Sequence, residues 1–429
     1  MTNFIVMRWV LIVVFCLFIL PLTGLAQPEL AGKVLSADNK TPIAAANVYL
    51  SNSSVGTITN EQGHFTIRNF PAGRYDLVIS CIGYETQVLA VSSVQLPPSL
   101  IILLKPKVNE LQEVIVAPYE KNGWEKWGKF FIDNLIGTSE YAENCKLKNP
   151  EVIKFRYDKR KHIISAFADE PLVLENNALG YLLHYTLTIF EFNQNSRIFY
   201  FQGYPLFEEM ESKRERQQKR WAVNRADCYN GSMMHFMRCL FRNKLIEQGF
   251  EIRKLIRISD EEKARVKKIL IDNQAIVLAD PKEGIVISSA EGFRFGNKEL
   301  SANPDSANYY RKVMRQPDAL NVLVNQVLTG DSVAYGIDSV TVGFSFTDAL
   351  QVMYLHKKPT EAYRRSNPFT DRSIMFQPIN SELTRPLKRE IVVLANGSYF
   401  QGVDLLTSGF WAWSEKLATM LPNDYWPAK

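Results

Sequence analysis

Apolar and polar residues alternate in short runs along residues 30–104 of the chain. The longest run, residues 74–82, places apolar side chains at every second position and includes Cys81, which we therefore expect to face a core. This period of two is typical of half-buried β-strands, and turn residues stand between the runs. In the turn Asn60-Glu61-Gln62-Gly63 we expect Gly63 to adopt a positive φ angle. About seven strands in this length predict a small immunoglobulin-like β-sandwich.

From residue 124 onward the pattern changes to a mixture of helical and strand periods. Apolar residues at helical spacing predict a helix over residues 124–136, and alternating ones predict strands over residues 152–157, 163–168 and 181–192. Residues 208–225 carry many charges of both signs, which favours a solvated helix or loop over a basic binding surface. The sequence therefore predicts a multidomain chain in which an α+β region follows the sandwich.

Further helix and turn signals stand in the next stretch. Ser232 is a candidate N-cap for a helix over residues 233–248. Ser259 together with Glu262 has the spacing of a capping box at the start of another helix. The sequence Asp280-Pro281-Lys282-Glu283-Gly284 lies between two apolar runs and predicts a hairpin.

The first segment has the features of a secretory signal peptide. Arg8 precedes an unbroken apolar run over residues 9–20, and Gly24-Leu25-Ala26 places small residues at a cleavage site. An uncleaved anchor helix is the less favoured alternative, because the run is shorter than the roughly 20 residues that span a bilayer. We therefore predict cleavage after Ala26, export of the mature chain, and no transmembrane segment in it.

Several motifs of the first domain occur in the order typical of one known module. They are Gly32-Lys33-Val34, Pro42-Ile43-Ala44-Ala45-Ala46-Asn47-Val48, Gly56-Thr57, Thr59-Asn60-Glu61-Gln62-Gly63-His64-Phe65, Pro71-Ala72-Gly73-Arg74-Tyr75-Asp76-Leu77 and Ile82-Gly83-Tyr84. This set resembles the carboxypeptidase regulatory-like domain, a transthyretin-like sandwich often found at the front of exported proteins of Gram-negative bacteria. The resemblance implies the sandwich fold and an exported protein, but by itself it implies no peptidase activity.

Two other segments extend the resemblance. Leu111-Gln112-Glu113-Val114-Ile115-Val116 is similar to the segment that joins this module to the plug of TonB-dependent receptors, but the remaining chain is too short for such a receptor. Trp411-Ala412-Trp413-Ser414-Glu415-Lys416-Leu417-Ala418 is similar to part of the continuation behind the same sandwich in uncharacterised exported bacterial proteins. The expected domains are a signal peptide (1–26), a regulatory-like sandwich (27–105), a linker (106–123) and an α+β domain of unknown function (124–429).

Charge and cysteine content exclude some classes of protein. The 50 basic and 45 acidic residues give a net charge of +5 over 429 residues, and such near-balance argues against a dedicated nucleic-acid-binding protein. After cleavage, four cysteines remain, and their spacing contains no metal-binding pattern. Whether Cys228 and Cys239 form a disulfide is left open.

No local motif for catalysis, metal binding or cofactor binding stands out, so no catalytic residue, metal or cofactor is predicted. His235, Arg238 and Arg242 share one face of the expected helix, which is compatible with an anion site, an exposed face or internal salt bridges. The pairs Trp124/Trp127 and Trp411/Trp413 have a spacing that favours closing a core over stacking on sugars.

Three Asp-Ser-small sequences resemble the acceptor motif for O-glycosylation in some exported Gram-negative proteins. Their serines are Ser306, Ser332 and Ser339. Whether any of them is glycosylated depends on its exposure.

These features together predict a non-enzymatic binding or structural module at the periplasm or outer-membrane surface, with a protein or glycan of the cell envelope as its partner. The alternative is an exported hydrolase, glycosidase- or peptidase-like, whose dispersed carboxylates meet within residues 124–429. A cleft with two carboxyls of shifted pKa would favour the hydrolase, and an open groove or exposed apolar patch would favour the binding protein.

Overall fold

The structure is a computed structural model, and it describes residues 28–107, 118–272, 275–280, 284–289, 309–310, 312–315, 319–367, 377–400 and 402–428. The predicted signal peptide, the segment 111–116 and Ser306 lie outside these residues. The described part of the chain is mostly β-sheet with few helices. Among these residues, no helix has the length and apolar composition needed to cross a membrane.

Seven strands form two sheets in the first part of the chain, as the alternation predicts. They are β1 (Leu30–Ser36), β2 (Asn47–Leu50), β3 (Gly56–Ile58), β4 (His64–Ile67), β5 (Arg74–Ser80), β6 (Gln87–Ser92) and β7 (Leu100–Leu104). One sheet has the order β4-β1-β7, with β7 parallel to β1, and the other is antiparallel with the order β3-β2-β5-β6. Apolar side chains from both sheets form a first core, and Cys81 packs against it as expected.

The turn before β4 confirms the expected role of Gly63. The Asn60 side-chain oxygen accepts hydrogen bonds from the backbone N–H groups of Gln62 at 3.0 Å and His64 at 2.9 Å. Gly63 has a φ angle of +75°, a conformation that is free of side-chain strain only in glycine. The turn thus sets the start of β4 against β1, where Lys33 pairs with His64.

A six-stranded sheet with two helices follows the sandwich. Its elements are α1 (Gly123–Leu135), β8 (Cys145–Leu147), β9 (Ile153–Asp158), β10 (Ile163–Ala168), β11 (Leu172–Asn176), β12 (Tyr181–Asn193), β13 (Phe199–Glu209) and α2 (Glu215–Tyr229). The long strand β12 pairs with β11 and β10 along one edge and with β13 along the other. The helix and strands predicted between residues 124 and 192 are confirmed. The charged stretch 208–225, predicted to be a solvated helix or loop, begins at the end of β13 and continues into α2, whose first turns have mostly exposed side chains.

The rest of the described chain adds two larger sheets and a hairpin. Its elements are α3 (Met233–Phe241), β14 (Phe250–Ser259), α4 (Glu261–Asp272), β15 (Ala275–Asp280), β16 (Gly284–Ser289), β17 (Ala319–Leu328), β18 (Ala334–Gly336), β19 (Thr341–Phe344), β20 (Ala349–Tyr354), α5 (Glu361–Ser366), β21 (Ile379–Thr384), β22 (Ile391–Leu394), β23 (Tyr399–Phe400), β24 (Leu406–Gly409) and α6 (Phe410–Ser414). The sheet orders are β17-β14-β20-β21-β24 and β18-β19-β22-β23. The antiparallel pairing of β15 with β16 confirms the predicted hairpin, and its turn residues 281–283 lie outside the described residues.

Two helix boundaries differ from the sequence prediction. Ser232 caps α3 as expected, since its side chain accepts from the His235 N–H at 3.1 Å, but α3 ends at Phe241. The chain leaves the helix because Asn243 takes a φ angle of +52°, which is incompatible with a further helical turn. At α4 the Asp260 carboxylate accepts from the Lys263 N–H at 2.9 Å, so Asp260 is the N-cap, while Ser259 is the last residue of β14.

Two further hydrophobic cores lie behind the sandwich. The second core contains the inner face of α1, the six-stranded sheet and apolar residues of 417–421. The third core contains α3, α6 and the inward faces of the two later sheets. Because residues 410–421 contribute to both, the end of the chain joins the second core to the third.

Candidate functional site

A pocket lies where the second and third cores meet. Its lining comes from four separate stretches of chain, within residues 139–141, 227–232, 357–360 and 410–419. Its enclosed part has a volume of about 30 Å³, and the space counted out through its open mouth is about 430 Å³. These stretches lie at or just beyond the ends of α1, α2 and α6 and at the starts of α3 and α5, so helix ends surround the pocket.

Backbone pairing fixes the position of the last stretch against the first. The N–H groups of Leu417 and Ala418 donate to the carbonyls of Leu135 and Ile136, each at 3.0 Å. Gly137 follows with a φ angle of +105°, which turns the chain from the end of α1 into residues 139–141. The pocket wall is therefore held by main-chain hydrogen bonds in addition to side-chain packing.

Asp227 lies at the centre of a network of charged hydrogen bonds. The Lys357 ammonium donates to the Asp227 carboxylate at 2.9 Å and to the Asp227 carbonyl at 2.7 Å. The Tyr141 hydroxyl donates to the same carboxylate oxygen at 2.6 Å, and burial together with this neighbouring carboxylate raises the pKa of Tyr141. The Lys357 ammonium lies beside the C-terminal end of α2, where a positive charge is favoured.

Glu415 contacts the opposite end of a helix. Its carboxylate accepts from the Met233 N–H at 3.0 Å, one of the unpaired donors in the first turn of α3. Burial raises the pKa of the Glu415 carboxyl, while the Met233 N–H and the Lys357 charge oppose that rise. Glu415 is thus a partly buried carboxyl in the pocket that retains its proton to higher pH than an exposed glutamate.

Ser139 and Glu140 form the wall contributed by the chain after α1. The Ser139 side-chain oxygen is buried and has no hydrogen-bond partner in the described structure, and the residue is only 5% exposed. The Glu140 carboxylate accepts one long hydrogen bond, 3.4 Å from the Thr360 hydroxyl. Buried hydroxyls are usually hydrogen-bonded in proteins, so the Ser139 oxygen is a polar group of this wall that has no protein partner.

Aromatic rings close another side of the pocket. The Trp413 indole N–H donates to the hydroxyls of Thr138 at 2.9 Å and Ser366 at 3.1 Å. The Trp413 ring also packs against Phe410 and Tyr363, with centroids 5.5 and 5.2 Å away. Its orientation is therefore fixed. The expectation that the pair Trp411/Trp413 closes a core holds for Trp411, which is buried in the third core, whereas Trp413 also lines the pocket.

The sequence expectations about other residues have different outcomes. Cys228 and Cys239 are both buried free thiols, so the disulfide that was left open does not form in this structure. Burial raises the pKa of the Cys228 thiol, which opposes formation of a nucleophilic thiolate. Trp124 and Trp127 pack against the second core, as predicted. Ser332 and Ser339 are exposed, as a modification site would require.

The three basic residues singled out on α3 do not form an anion site. Arg238 is only 1% exposed, and its guanidinium donates to the carbonyls of Asn396 at 2.8 Å, Tyr425 at 2.9 Å and Asn423 at 3.0 Å. Burial also lowers the pKa of His235 to about 4. These side chains hold the chain terminus against α3 and fill the interior, and only Arg242 is exposed.

The sequence did not reveal the pocket because its groups are far apart along the chain. Asp227 and Lys357, for example, are neighbours only after folding. The one local signal was the segment beginning at Trp411, which contains Trp413, Ser414 and Glu415. Among the described residues, no group of three or more His, Cys, Asp or Glu side chains is placed to hold a metal ion.

Comparison with known proteins identifies the first domain. Residues 30–116 match the family model of the CarboxypepD_reg-like domain. No curated protein matches the chain.

Two solved structures show limited likeness to the chain. One is a C-terminal interface mutant of a type II cohesin–X-dockerin complex from Acetivibrio cellulolyticus, 24% identical over 18% of this chain and 56% of that one, with a TM-score of 0.16. The other is a putative membrane-associated protein of unknown function from Bacteroides fragilis, 10% identical over 76% of this chain and 90% of that one, with a TM-score of 0.15. At these TM-scores neither likeness carries an argument about fold or function.

Proposed function

We propose that this chain, whose residues 30–116 match the CarboxypepD_reg-like domain, is an exported, non-enzymatic binding module of the cell envelope. In this proposal the immunoglobulin-like sandwich is followed by an α+β region, and that region binds a small molecule in the pocket between the second and third cores. The protein works at the periplasm or the outer-membrane surface. Export is supported by the apolar run and small residues of the first 26 positions.

The observation that carries the proposal is the make-up of the pocket. It combines an unpartnered buried hydroxyl on Ser139, carboxylates with acceptor positions still available, and a fixed aromatic wall around Trp413. This combination of a few polar groups with an aromatic surface is typical of small-molecule binding sites. The raised pKa of the Cys228 thiol supports binding over thiol chemistry.

Binding is tested by a thermal-shift screen of the full chain with small sugars, amino acids, amines and carboxylates. At least one compound class is expected to raise the melting temperature of the wild type, because a ligand stabilises the state that binds it. The rise should disappear in Trp413→Ala and persist in Trp426→Ala, where the replaced ring lies outside the pocket lining. If no compound shifts the wild-type melting temperature, or if Trp413→Ala responds as the wild type does, the proposed function is wrong.

The site of action is tested by fractionating cells that express the full chain. The protein should be recovered from the envelope fractions, and its mature N-terminus should be Gln27. Recovery in the cytoplasm with Met1 still attached would contradict the proposed export.

One observation favours the alternative, an exported hydrolase. Glu415 is a partly buried carboxyl of raised pKa in the same pocket as the carboxylate of Asp227, and such a pair suits general acid catalysis. The purified chain is expected to be inert towards peptide, ester and glycoside panels with and without divalent metals. Turnover that Glu415→Gln abolishes would establish the hydrolase instead.

A further inference from the structure

We propose that the pocket binds the primary ammonium group of a small ring-bearing amine, such as an amino sugar or an arylalkylamine. This inference rests on the proposed binding function and specifies its ligand. It depends on the charge of the lining, the hydrogen-bonding groups still available and the aromatic wall.

The charge of the lining favours a cation. Glu140 and Asp227 supply two carboxylates, Glu415 supplies a carboxyl of raised pKa, and Lys357 supplies one ammonium, so the formal charge of the lining is −1 with Glu415 protonated and −2 with Glu415 ionised. An anionic ligand would be placed beside these carboxylates in a partly buried site, where repulsion between like charges is stronger than in water. A cationic ligand brings the pocket closer to neutrality.

The free acceptors match the donors of an ammonium group. One oxygen of Asp227 already accepts from Lys357 and Tyr141, so that carboxylate is largely engaged. The Glu140 carboxylate accepts only the long hydrogen bond from Thr360, and the Ser139 hydroxyl has no partner. An ammonium carries three N–H donors and no acceptor. It can therefore donate to the Glu140 carboxylate and the Ser139 hydroxyl without leaving an unpaired acceptor of its own.

The ring that bears the amine has a place against the aromatic wall. The indole N–H of Trp413 is engaged by Thr138 and Ser366, which leaves the ring face as the surface that Trp413 offers to a ligand. An aromatic face attracts a nearby cation and also stacks on the apolar face of a ring. A divalent metal fits less well, since no group of three metal-binding side chains occurs among the described residues.

The test is calorimetric titration of the full chain with matched ligands that differ in charge. Benzylamine is compared with benzyl alcohol and benzoate, and glucosamine with glucose. At least one amine is expected to bind at least about tenfold more tightly than its neutral counterpart, because one charged hydrogen bond contributes a gain in affinity of this size. Benzoate is expected to bind least.

Variants locate the effect in the pocket. Glu140→Gln keeps the shape of the side chain and removes its charge, and it should weaken amine binding about tenfold. Ser139→Ala should weaken it about fivefold through the lost hydrogen bond. Glu247→Gln makes the same change at an exposed residue paired with Lys244 and should leave binding unchanged. Melting curves of each variant verify that it is folded.

The outcomes separate this inference from the proposed function. If the neutral or acidic counterparts bind as tightly as the amines or more tightly, the proposal of an ammonium ligand is wrong, but the proposed binding function stands. Amine binding that Glu140→Gln and Ser139→Ala both leave unchanged would overturn the assignment to this pocket. If no compound binds at concentrations up to roughly 10 mM, and none stabilises the chain in the thermal-shift screen, both proposals are wrong.

Discussion

Gly63 has a backbone conformation that other residues adopt only with a loss of stability. At its φ angle of +75°, a Cβ atom would lie 2.5 Å from the Val34 carbonyl oxygen. Gly63→Ala therefore combines backbone strain of about 1–2 kcal/mol with a clash against main chain that cannot move freely. Chemical denaturation of the full chain should show this loss in the free energy of unfolding.

Gly83 provides the matched control for that change. Its φ angle is +84°, and nothing lies within 4 Å of the position of an added Cβ. Gly83→Ala should thus show the backbone strain alone, about 1 kcal/mol. Equal losses for Gly63→Ala and Gly83→Ala would mean that the contact with Val34 contributes nothing.

His235 makes stability depend on pH in the mildly acidic range. Burial, with the nearby charge of Arg238, lowers its pKa from 6.5 to about 4. The unfolded chain therefore binds a proton below pH 6.5 that the folded chain does not bind until pH 4, so stability is lost as pH falls through this window. Between pH 7 and pH 5 the free energy of unfolding should decrease by about 2 kcal/mol from this residue.

Urea unfolding at several pH values measures this dependence. In His235→Gln the pH dependence between 7 and 5 should become smaller by that amount. His64→Gln removes an exposed histidine and should keep the wild-type dependence. A wild-type slope retained in His235→Gln would show that other groups cause it.

At the scale of elements, α4 depends on the cap supplied by Asp260. The Asp260 carboxylate accepts from the Lys263 N–H at 2.9 Å, and a carboxylate there also complements the partial positive charge of the helix start. Asp260→Ala should destabilise the first turn by about 1 kcal/mol, whereas Asp260→Asn keeps a capping oxygen and should lose less. Hydrogen exchange at the Lys263 amide is the direct measurement, and unchanged protection in Asp260→Ala would contradict the cap.

Elements that depend on local apolar patterns could be predicted from the sequence, whereas helix ends that depend on other contacts could not. The sequence predicts strands such as β10 and β12 from alternating apolar residues, and helix α1 from apolar residues at helical spacing. Both patterns are local because each element buries one face. The end of α3 did not follow, because Asn243 leaves the helix through a positive φ angle that periodicity does not encode. At α4, neighbouring Ser259 and Asp260 both suit an N-cap, and the continuation of β14 through Ser259 decides between them.

The pocket was harder to predict from the sequence than the helices and strands were. Trp413 and Glu415 were visible as one unusual segment, but their partners Thr138 and Met233 lie far away in the sequence. For Arg238 the sequence left an anion site, an exposed face and internal salt bridges open, because its carbonyl partners Asn396, Asn423 and Tyr425 carry no side-chain signature. Charge and spacing alone therefore do not separate a surface arginine from one that holds buried main chain.

At the scale of the whole molecule, the sandwich is joined to the following sheet by main-chain and side-chain bonds. The Asn52 N–H donates to the Pro205 carbonyl at 2.8 Å, and the Phe207 N–H donates to the Ser53 carbonyl at 3.0 Å. The buried Tyr49 hydroxyl bonds Thr186 at 2.9 Å. The chain terminus reinforces the junction, since the Asn423 N–H donates to the Asn52 carbonyl at 2.6 Å.

This junction leads to a prediction about cooperativity. The sandwich has a core of its own, so a fragment of residues 27–105 is expected to fold alone. It should melt at a lower temperature than the full chain, because the backbone groups of Asn52 and Ser53 lose their protein partners. Calorimetry of the full chain should then show a single transition, since bonds across the junction couple the sandwich to the rest of the molecule.

Tyr49→Phe in the full chain tests the coupling without removing a segment. It deletes only the hydroxyl that bonds Thr186 and the Tyr204 carbonyl, which should reduce stability by about 1 kcal/mol. The same change in the fragment should have almost no effect, because those partners are absent there. Two results together would show that the junction does not contribute to stability. The full chain would melt in two steps, the first at the melting temperature of the fragment, and Tyr49→Phe would shift neither step.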